Sequence, residues 1–528
     1  MLEVTDLAVW YPTRGLALAG LSFSASDGQI LLLTGRNGCG TSTALAAIVA
    51  DLPAGSRRQG AVVLDGVDIS GAHPDDLDGI IATVGDVDPA RSLRIGDLLH
   101  VEGPHHSSLE SAAPRRPALL SPEQIANELG LDGHLNDRVA DATRSLRARA
   151  VLAAGLLAAP RLLLADQPLA PMESPWRDAA CRLLRAHADA GMTIVWAEHH
   201  LIHALAVADH VIELVRPSNQ VPGSRAVGTY PDEYRRENHA RPRTAKPYPG
   251  EHTGLAHPAW QWRPRTIPWT PLQQVATALG LTGPGADDPN RLHDMLAPVL
   301  GQGLRQPPAH RDTGQLTLVL NDREKVLVRD DQMLRLACAT GEQAAIAYDE
   351  FTAANAFTLA PTQPNRTLAD ICRFQDRRSG RPKGSTWAQI HDAWPQLRGS
   401  DVLARHSAGE QALVTALLDL ESGTVVPLLD AGQLLDGWTR DRLLEHVAAQ
   451  QRAGRTVVWI TTDAEDLPAA ERVIVTDDGQ IAADGRATAI ADRLPYPPRL
   501  AVACAPRRIM TAAEVIAGAE YLATKEAS

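Results

Sequence analysis

The 528-residue chain has few cysteines, and those it has are scattered: Cys39, Cys181, Cys338, Cys372 and Cys504 form no CxxC pair and no metal-ligand spacing. That excludes a disulfide framework and a zinc site, and suits a reducing compartment. Lysine and arginine are nowhere concentrated and the formal net charge is -12, so a duplex-binding face has no basis and no nucleic-acid partner is expected. Long apolar runs are also missing. The most apolar stretch, Ala150–Ala165, is interrupted by Pro160 and Arg161 and falls short of the roughly 20 residues a spanning helix needs. The opening residues MLEVTDLAVWYP lack the basic and apolar regions of a secretory leader. What remains is a chain with 44% hydrophobic residues, enough for packed cores and long enough for about two or three domains.

An internal repeat organises it. Thr193-Ile194-Val195-Trp196 matches Thr456-Val457-Val458-Trp459 at an offset of 263 residues. Ahead of each lies an apolar run ending in aspartate, Leu162–Asp166 and Val425–Asp430, whose aspartates are offset by 264. Such β-branched runs suit buried parallel strands. Between the copies, residues 217–271 hold ten prolines, with Trp260, Trp262 and Trp269 clustered. Two readings stand: a semi-extended linker, or a docking segment anchored by its tryptophans.

In the first copy, strand Gln29–Thr34 leads into Gly35-Arg36-Asn37-Gly38-Cys39-Gly40-Thr41-Ser42-Thr43 and then a helix over Thr43–Asp51. Strand, glycine-rich turn and helix are the context of a phosphate loop, in which backbone N–H groups and the helix N-terminus wrap phosphate oxygens. Gly35, Gly38 and Gly40 are in place, and Ser42 stands where a hydroxyl would ligate Mg²⁺. Thr41 occupies the lysine position, which removes the point charge on the β- and γ-phosphates.

These residues resemble the ATP-binding-cassette (ABC) ATPase superfamily over most of both halves. The resemblance implies an α/β fold of two P-loop NTPase-like cassettes, each a mostly parallel sheet core with an antiparallel β part and a helical subdomain. It also implies ATP and Mg²⁺ as cofactors. By that resemblance Asn37, Thr41 and Thr43 line the nucleotide with the loop glycines, and Tyr11 stacks on adenine; the alternative for Tyr11 is a core aromatic at the sheet edge. Asp166 matches the acid that holds Mg²⁺ with Ser42. Gln167 stands where the family has the glutamate that polarises water; an amide can place water but not take its proton. His199 falls at the switch-histidine position, where the other reading is a structural histidine. His200 has no assigned role, and Asp86 holds the place of the Q-loop glutamine.

ABC cassettes work as head-to-tail pairs, each ATP lying between one phosphate loop and the other cassette's signature sequence. The first signature position reads Ala142-Thr143-Arg144-Ser145-Leu146, without glycines. The second reads His406-Ser407-Ala408-Gly409-Glu410-Gln411, close to L-S-G-G-E-Q, so Ser407, Gly409 and Glu410 are expected to complete the site. Asp436 aligns with Glu173 as the D-loop acid. For the second copy the phosphate loop is expected after Lys325–Val328, at Arg329–Leu334, where adjacent acids repel phosphate. Asp430 is read as its Mg²⁺ acid, followed by Ala431 and Gly432, and Thr462 replaces the switch histidine. The losses pair up: one composite site keeps parts from both halves, the other is lost on both sides.

The phrases Ala197–Leu201, Asp477–Gly485 and Pro497–Leu500 resemble fused energy-coupling-factor ATPases of actinobacterial type. That implies a cytoplasmic protein held at the inner face of the membrane by transmembrane coupling or permease subunits, its two halves pairing within the chain. A pseudo-ATPase scaffold and a soluble tandem cassette acting on ribosomes or DNA are the alternatives. The expected boundaries are 1–237 for the first domain, 238–310 for a Pro/Trp-rich linker, 311–500 for the second domain and 501–528 for a tail. Without the lysine and the glutamate, ATP turnover should lie near background, since general-base catalysis alone is worth about 10²–10⁴-fold. Gln167→Glu alone should restore little, because phosphate charge stays uncompensated; paired with Thr41→Lys it should restore more. A steady-state ATPase rate typical of intact ABC pairs in the unaltered chain would overturn the reading of both positions.

Overall fold

A computed structural model describes residues 1–12, 15–85, 93–100, 118–199, 201–215, 225–229, 315–320, 324–329, 333–354, 365–395, 397–421, 425–464, 467, 472–477 and 480–504. The expected linker 238–310, Asp86, His200 and residues 505–528 lie outside them. The described residues fall into two compact units, one up to residue 229 and one from residue 315.

The first unit runs β1 (Leu2–Tyr11), β2 (Gly15–Ala25), β3 (Ile30–Gly35), α1 (Thr41–Ile48), β4 (Arg57–Leu64), β5 (Val67–Asp68) and β6 (Ile81–Val84). Helices α2 (Ile95–Leu99), α3 (Pro122–Glu128) and α4 (Arg144–Leu157) follow. Then come β7 (Leu162–Asp166), α5 (Ser174–Asp189), β8 (Thr193–Ala197), α6 (Leu201–Ala204), β9 (His210–Val215) and β10 (Arg225–Thr229). Two sheets result: β2-β1-β4-β5, antiparallel, and β10-β9-β3-β8-β7-β6, parallel except for the β10–β9 pair. The second is the doubly wound arrangement expected of continuous apolar strands covered on both faces. Leu31, Leu32 and Leu33 of β3 and all of β8 are buried. One core lies between this sheet and α2–α5, the other between it, α1 and the antiparallel sheet.

The second unit runs β11 (Gln315–Val319), β12 (Lys325–Arg329), β13 (Met333–Ala337), α7 (Gly341–Ala354), α8 (Leu368–Arg378), α9 (Ser385–Ala393) and α10 (Ala408–Leu420). It continues through β14 (Val425–Leu429), α11 (Gly437–Arg452), β15 (Thr456–Thr461), β16 (Arg472–Asp477), β17 (Gln480–Gly485) and α12 (Arg499–Ala503). Cys504, beyond the expected domain edge, is fully buried. The sheet order β14-β15-β13-β16-β17 is that of the first unit with β6 omitted, and it keeps the antiparallel final pair. Omitting that neighbour explains Pro427. A proline within β14 is tolerated because β14 is an edge strand among the described residues, with no ladder on its far side to require the missing N–H.

This order corrects the expected second phosphate loop. Lys325–Val328 belongs to an antiparallel pair with β11. The strand at the place of β3 is β13, flanked by β15 and β16 as β3 is by β8 and β9. The phosphate-loop position is therefore Cys338–Thr340, three residues between β13 and α7, against five (36–40) between β3 and α1.

One helix N-terminus in the second unit is filled from within. Gly384, in left-handed conformation, caps α9, and the buried Asp376 carboxylate accepts the amides of Gly384 at 2.6 Å and Thr386 at 2.9 Å and the Ser385 hydroxyl at 3.1 Å. Negative charge at a helix N-terminus is favourable. Burial pushes the Asp376 carboxyl up, but these donors outweigh it and hold it below its ordinary value. A depressed folded pKa contributes stability that is full above the unfolded value and lost as pH falls through the folded one. Asp376→Asn should therefore lower the second unit's melting temperature at neutral pH, by about 2–4 °C for each kcal/mol lost. The gap should begin to narrow below about pH 4 and close as pH falls through the lower folded value, and melts in which it is independent of pH would refute this role.

Candidate functional site

Three neighbouring strands end at one edge of the first unit's sheet. β8 lies between β3 and β7, with Leu33 and Asp166 both opposite Ala197. Gly35, Asp166 and the chain after Ala197 are thus brought together at the carboxyl ends of parallel strands, where open α/β sheets bind ligands. The loop from β3 needs glycine at two points in particular. Gly35 has φ 150°, and a Cβ there would lie 2.5 Å from the Leu214 carbonyl and 2.6 Å from Cys39 Sγ. Gly40 has φ 103° and caps α1 in left-handed conformation, its carbonyl accepting from Ala44 N at 2.8 Å. The helix starts at Thr41 rather than Thr43, so Thr41, Ser42 and Thr43 form its first turn. Thr41 is buried while Ser42 is exposed. Asn37 is half-buried and Gly38 exposed in the same loop.

Tyr11 ends β1, and its hydroxyl lies 3.0 Å from Thr43 Oγ1. The aromatic side chain is thereby held beside the first turn of the helix that follows the loop. Gln167 takes φ 49°, sterically costly for a residue with a Cβ. Its N–H donates to Ala197 O at 2.8 Å and its carbonyl accepts from Ala170 N at 3.2 Å, so the turn after Asp166 is stitched to β8. His199 is half-buried two residues beyond β8. Between them sits Glu198, fully buried, which the motif reading left without a role. An acid directly after an unbroken apolar strand was the available signal. The residues present suit a phosphate chain: a glycine cradle, a helix N-terminus, and a hydroxyl with a carboxylate for a divalent ion. They lack the charge of a lysine.

A family model of the ABC transporter matches residues 18–170. The vitamin B12 import ATP-binding protein BtuD of Vibrio cholerae is 30% identical over 207 residues, 38% of this chain and 79% of that protein. The chain belongs to the ATP-binding proteins of ABC transporters. An uncharacterized ABC transporter ATP-binding protein of Mycobacterium tuberculosis is also 30% identical over 217 residues, 40% of this chain and 64% of that protein. A solved structure of the complex of the archaeal ribosomal stalk protein aP1 and the ribosome recycling factor aABCE1 matches at TM-score 0.52 and 13% identity, over 93% of this chain and 92% of the matched one. At that identity it speaks for fold alone.

Against this ABC frame the second unit's positions can be read from backbone bonds. Asp430 N donates to Ile460 O at 2.9 Å, and Gln433 N to Asp430 O at 3.1 Å. These repeat the Gln167 bonds at a constant offset of 263, and Asp430 shares the positive φ, 40°. Asp430 therefore stands at the place of Gln167, not of Asp166. Leu429 stands at the place of Asp166, and Ala431 at that of Pro168. Thr462 is at the place of His199 and Asp436 at that of Glu173. The two signature helices begin alike. Thr143 Oγ1 accepts from Leu146 N at 3.1 Å to cap α4, and Ser407 Oγ accepts from Glu410 N at 3.3 Å to cap α10. Only the second closes a capping box, Glu410 Oε2 accepting from Ser407 N at 3.0 Å. Gly409 is buried in that first turn.

The strain at Gln167 is measurable. Gln167→Gly should stabilise the first unit by about 1 kcal/mol, the cost that a left-handed conformation imposes on a residue with a side chain. Thermal melts showing no change or a loss would mean that contacts of the amide outweigh the backbone term.

Proposed function

We propose that the chain is the energy-coupling ATP-binding subunit of an import system of energy-coupling-factor type, with one usable composite nucleotide site. The observation that carries this is how the intact parts are distributed. The first unit has an open glycine cradle leading into α1, and the second a capped signature turn at Ser407–Glu410. Their counterparts are a loop of three residues at Cys338–Thr340 and a signature turn at Thr143 without glycine. In head-to-tail pairing the intact pieces meet in one site and the altered pieces in the other. ATP would lie along Gly35–Thr43 with Tyr11 at the base, and Mg²⁺ near Ser42 and Asp166. The name of the Vibrio relative, a vitamin B12 import protein, supports an import role. No helix among the described residues is long and apolar enough to cross a membrane, so in this reading the pathway belongs to permease subunits on which the chain docks at the inner membrane face.

A second reading has its own observation. With Thr41 for lysine, Gln167 for glutamate and Leu429 at the second Mg²⁺-acid place, the chain would serve as a catalytically inactive scaffold or regulator that binds nucleotide weakly or not at all.

Calorimetry separates them. One ATP per chain is expected. Ser407→Arg should cost about 1–3 kcal/mol of binding, as when a buried hydrogen-bonding group is left unsatisfied. Thr143→Arg should cost nothing. Two equivalent sites, or equal sensitivity at the two positions, would sink the composite site; absence of binding would select the scaffold.

A further inference from the structure

We propose that Glu198 is a positioning residue that couples the switch histidine to the turn carrying Gln167. Its side chain is fully buried, and it is hydrogen-bonded to its own chain on either side and, across the sheet edge, to the turn after Asp166. Oε1 accepts the His199 amide at 2.8 Å. Oε2 accepts the Trp196 indole N–H at 3.3 Å and the Leu169 amide at 3.4 Å. Trp196 is part of β8, His199 is the residue expected to meet the terminal phosphate, and Leu169 lies two residues beyond Gln167. One carboxylate thus bridges the strand, the switch position and the turn after Asp166. Any shift of the His199 backbone pulls on the same group that holds Leu169, and Gln167 is itself bonded to Ala197. Buried charge is expensive unless fully engaged, and here each engagement reaches an element that the site has to align.

The second unit supplies an internal comparison. At the same offset of 263 the sheet has Thr461 for Glu198 and Trp459 for Trp196. There the Trp459 indole N–H is buried with no hydrogen-bond partner among the described residues. The turn is joined to the following chain differently, by Gln433 Nε2 donating to Thr462 Oγ1 at 2.8 Å and Thr462 N donating to Asp430 Oδ1 at 3.0 Å. The three-way bridge thus accompanies the cradle with its glycines, and the same strand folds with threonine in its place.

The ATP part of this inference rests on the nucleotide site proposed above; the coupling itself does not. The test uses the full chain with Glu198→Thr, the residue found at the equivalent place, and Glu198→Gln, which keeps an acceptor oxygen. Hydrogen exchange without nucleotide is followed in peptides covering 167–172 and 196–201, and MgATP and MgADP are titrated by calorimetry. Glu198→Thr should speed exchange in both peptides and weaken MgATP about tenfold, the equivalent of roughly 1.4 kcal/mol. MgADP, which has no terminal phosphate for His199, should move by less than about twofold. Glu198→Gln should recover most of the ATP affinity. Exchange rising in one peptide alone, or ATP and ADP weakening equally, would overturn the coupling and leave Glu198 a residue of the core. If the unaltered chain binds no ATP, the nucleotide site fails by itself, and the paired exchange response still decides for or against Glu198.

Discussion

The parallel ladder of β3, β8 and β7 is the constraint on which the rest of the first unit depends. Each hydrogen-bonded step of about 4.8 Å sets the spacing between the glycine loop at Gly35, the chain leading to His199 and the carboxylate at Asp166. Slipping any one strand by a residue would exchange its two faces. In β8, where every side chain is buried, such a slip would drive Trp196 out of one core and Val195 and Ala197 out of the other. Packing therefore enforces the register, and the register delivers the chemistry. The candidate site residues sit just past the strand ends, where buried apolar surface no longer dictates what a position has to be.

That division explains what could be read from residues alone. The cradle was legible because its glycines are demanded by positive φ at Gly35 and Gly40, a requirement few other residues meet. The repeat was legible from the strand equivalent to β7 onward, where an offset of 263 holds through Thr456, Asp436 and Thr462. It was misread by one residue at Asp430, because matching aspartate to aspartate ignores the backbone, and the bond to Ile460 O puts Asp430 a step further along. The second phosphate loop was missed for a different reason. Leu32 and Trp196 pair across the first sheet 164 residues apart, whereas Arg335 and Trp459 pair only 124 apart. The offset therefore fails upstream. Arg335 also interrupts the apolar pattern of β13, so the cleaner run at Val326–Val328 drew the assignment.

Arg335 shows how the second unit maintains its sheet with altered parts. It takes the place of Leu32 at the centre of the sheet and is fully buried. Its guanidinium lies 3.7 Å from the centroid of the Trp459 ring. A desolvated cation over tryptophan is worth about 2 kcal/mol or more, which offsets part of what it costs to bury both a guanidinium and an unbonded indole N–H. In the first unit the matching tryptophan spends its N–H on Glu198 instead. The same aromatic scaffold thus serves packing in one sheet and polar alignment in the other.

The left-handed residues sharpen the distinction between fold and chemistry. Strain at a strand end invites a catalytic explanation, and Gln167 alone would suit one. But Asp430 takes the same conformation beside Leu429, where no acid stands to hold a metal, and makes the same bond to the neighbouring strand. The strain therefore belongs to the turn, which has to leave the sheet sharply while keeping its N–H paired across the ladder. Glu198 has no such counterpart: its place in the second unit is taken by Thr461, and the three-way bridge is gone. The feature common to both units is the one the sheet requires, and the feature confined to the first is the one that points to a task at its strand ends.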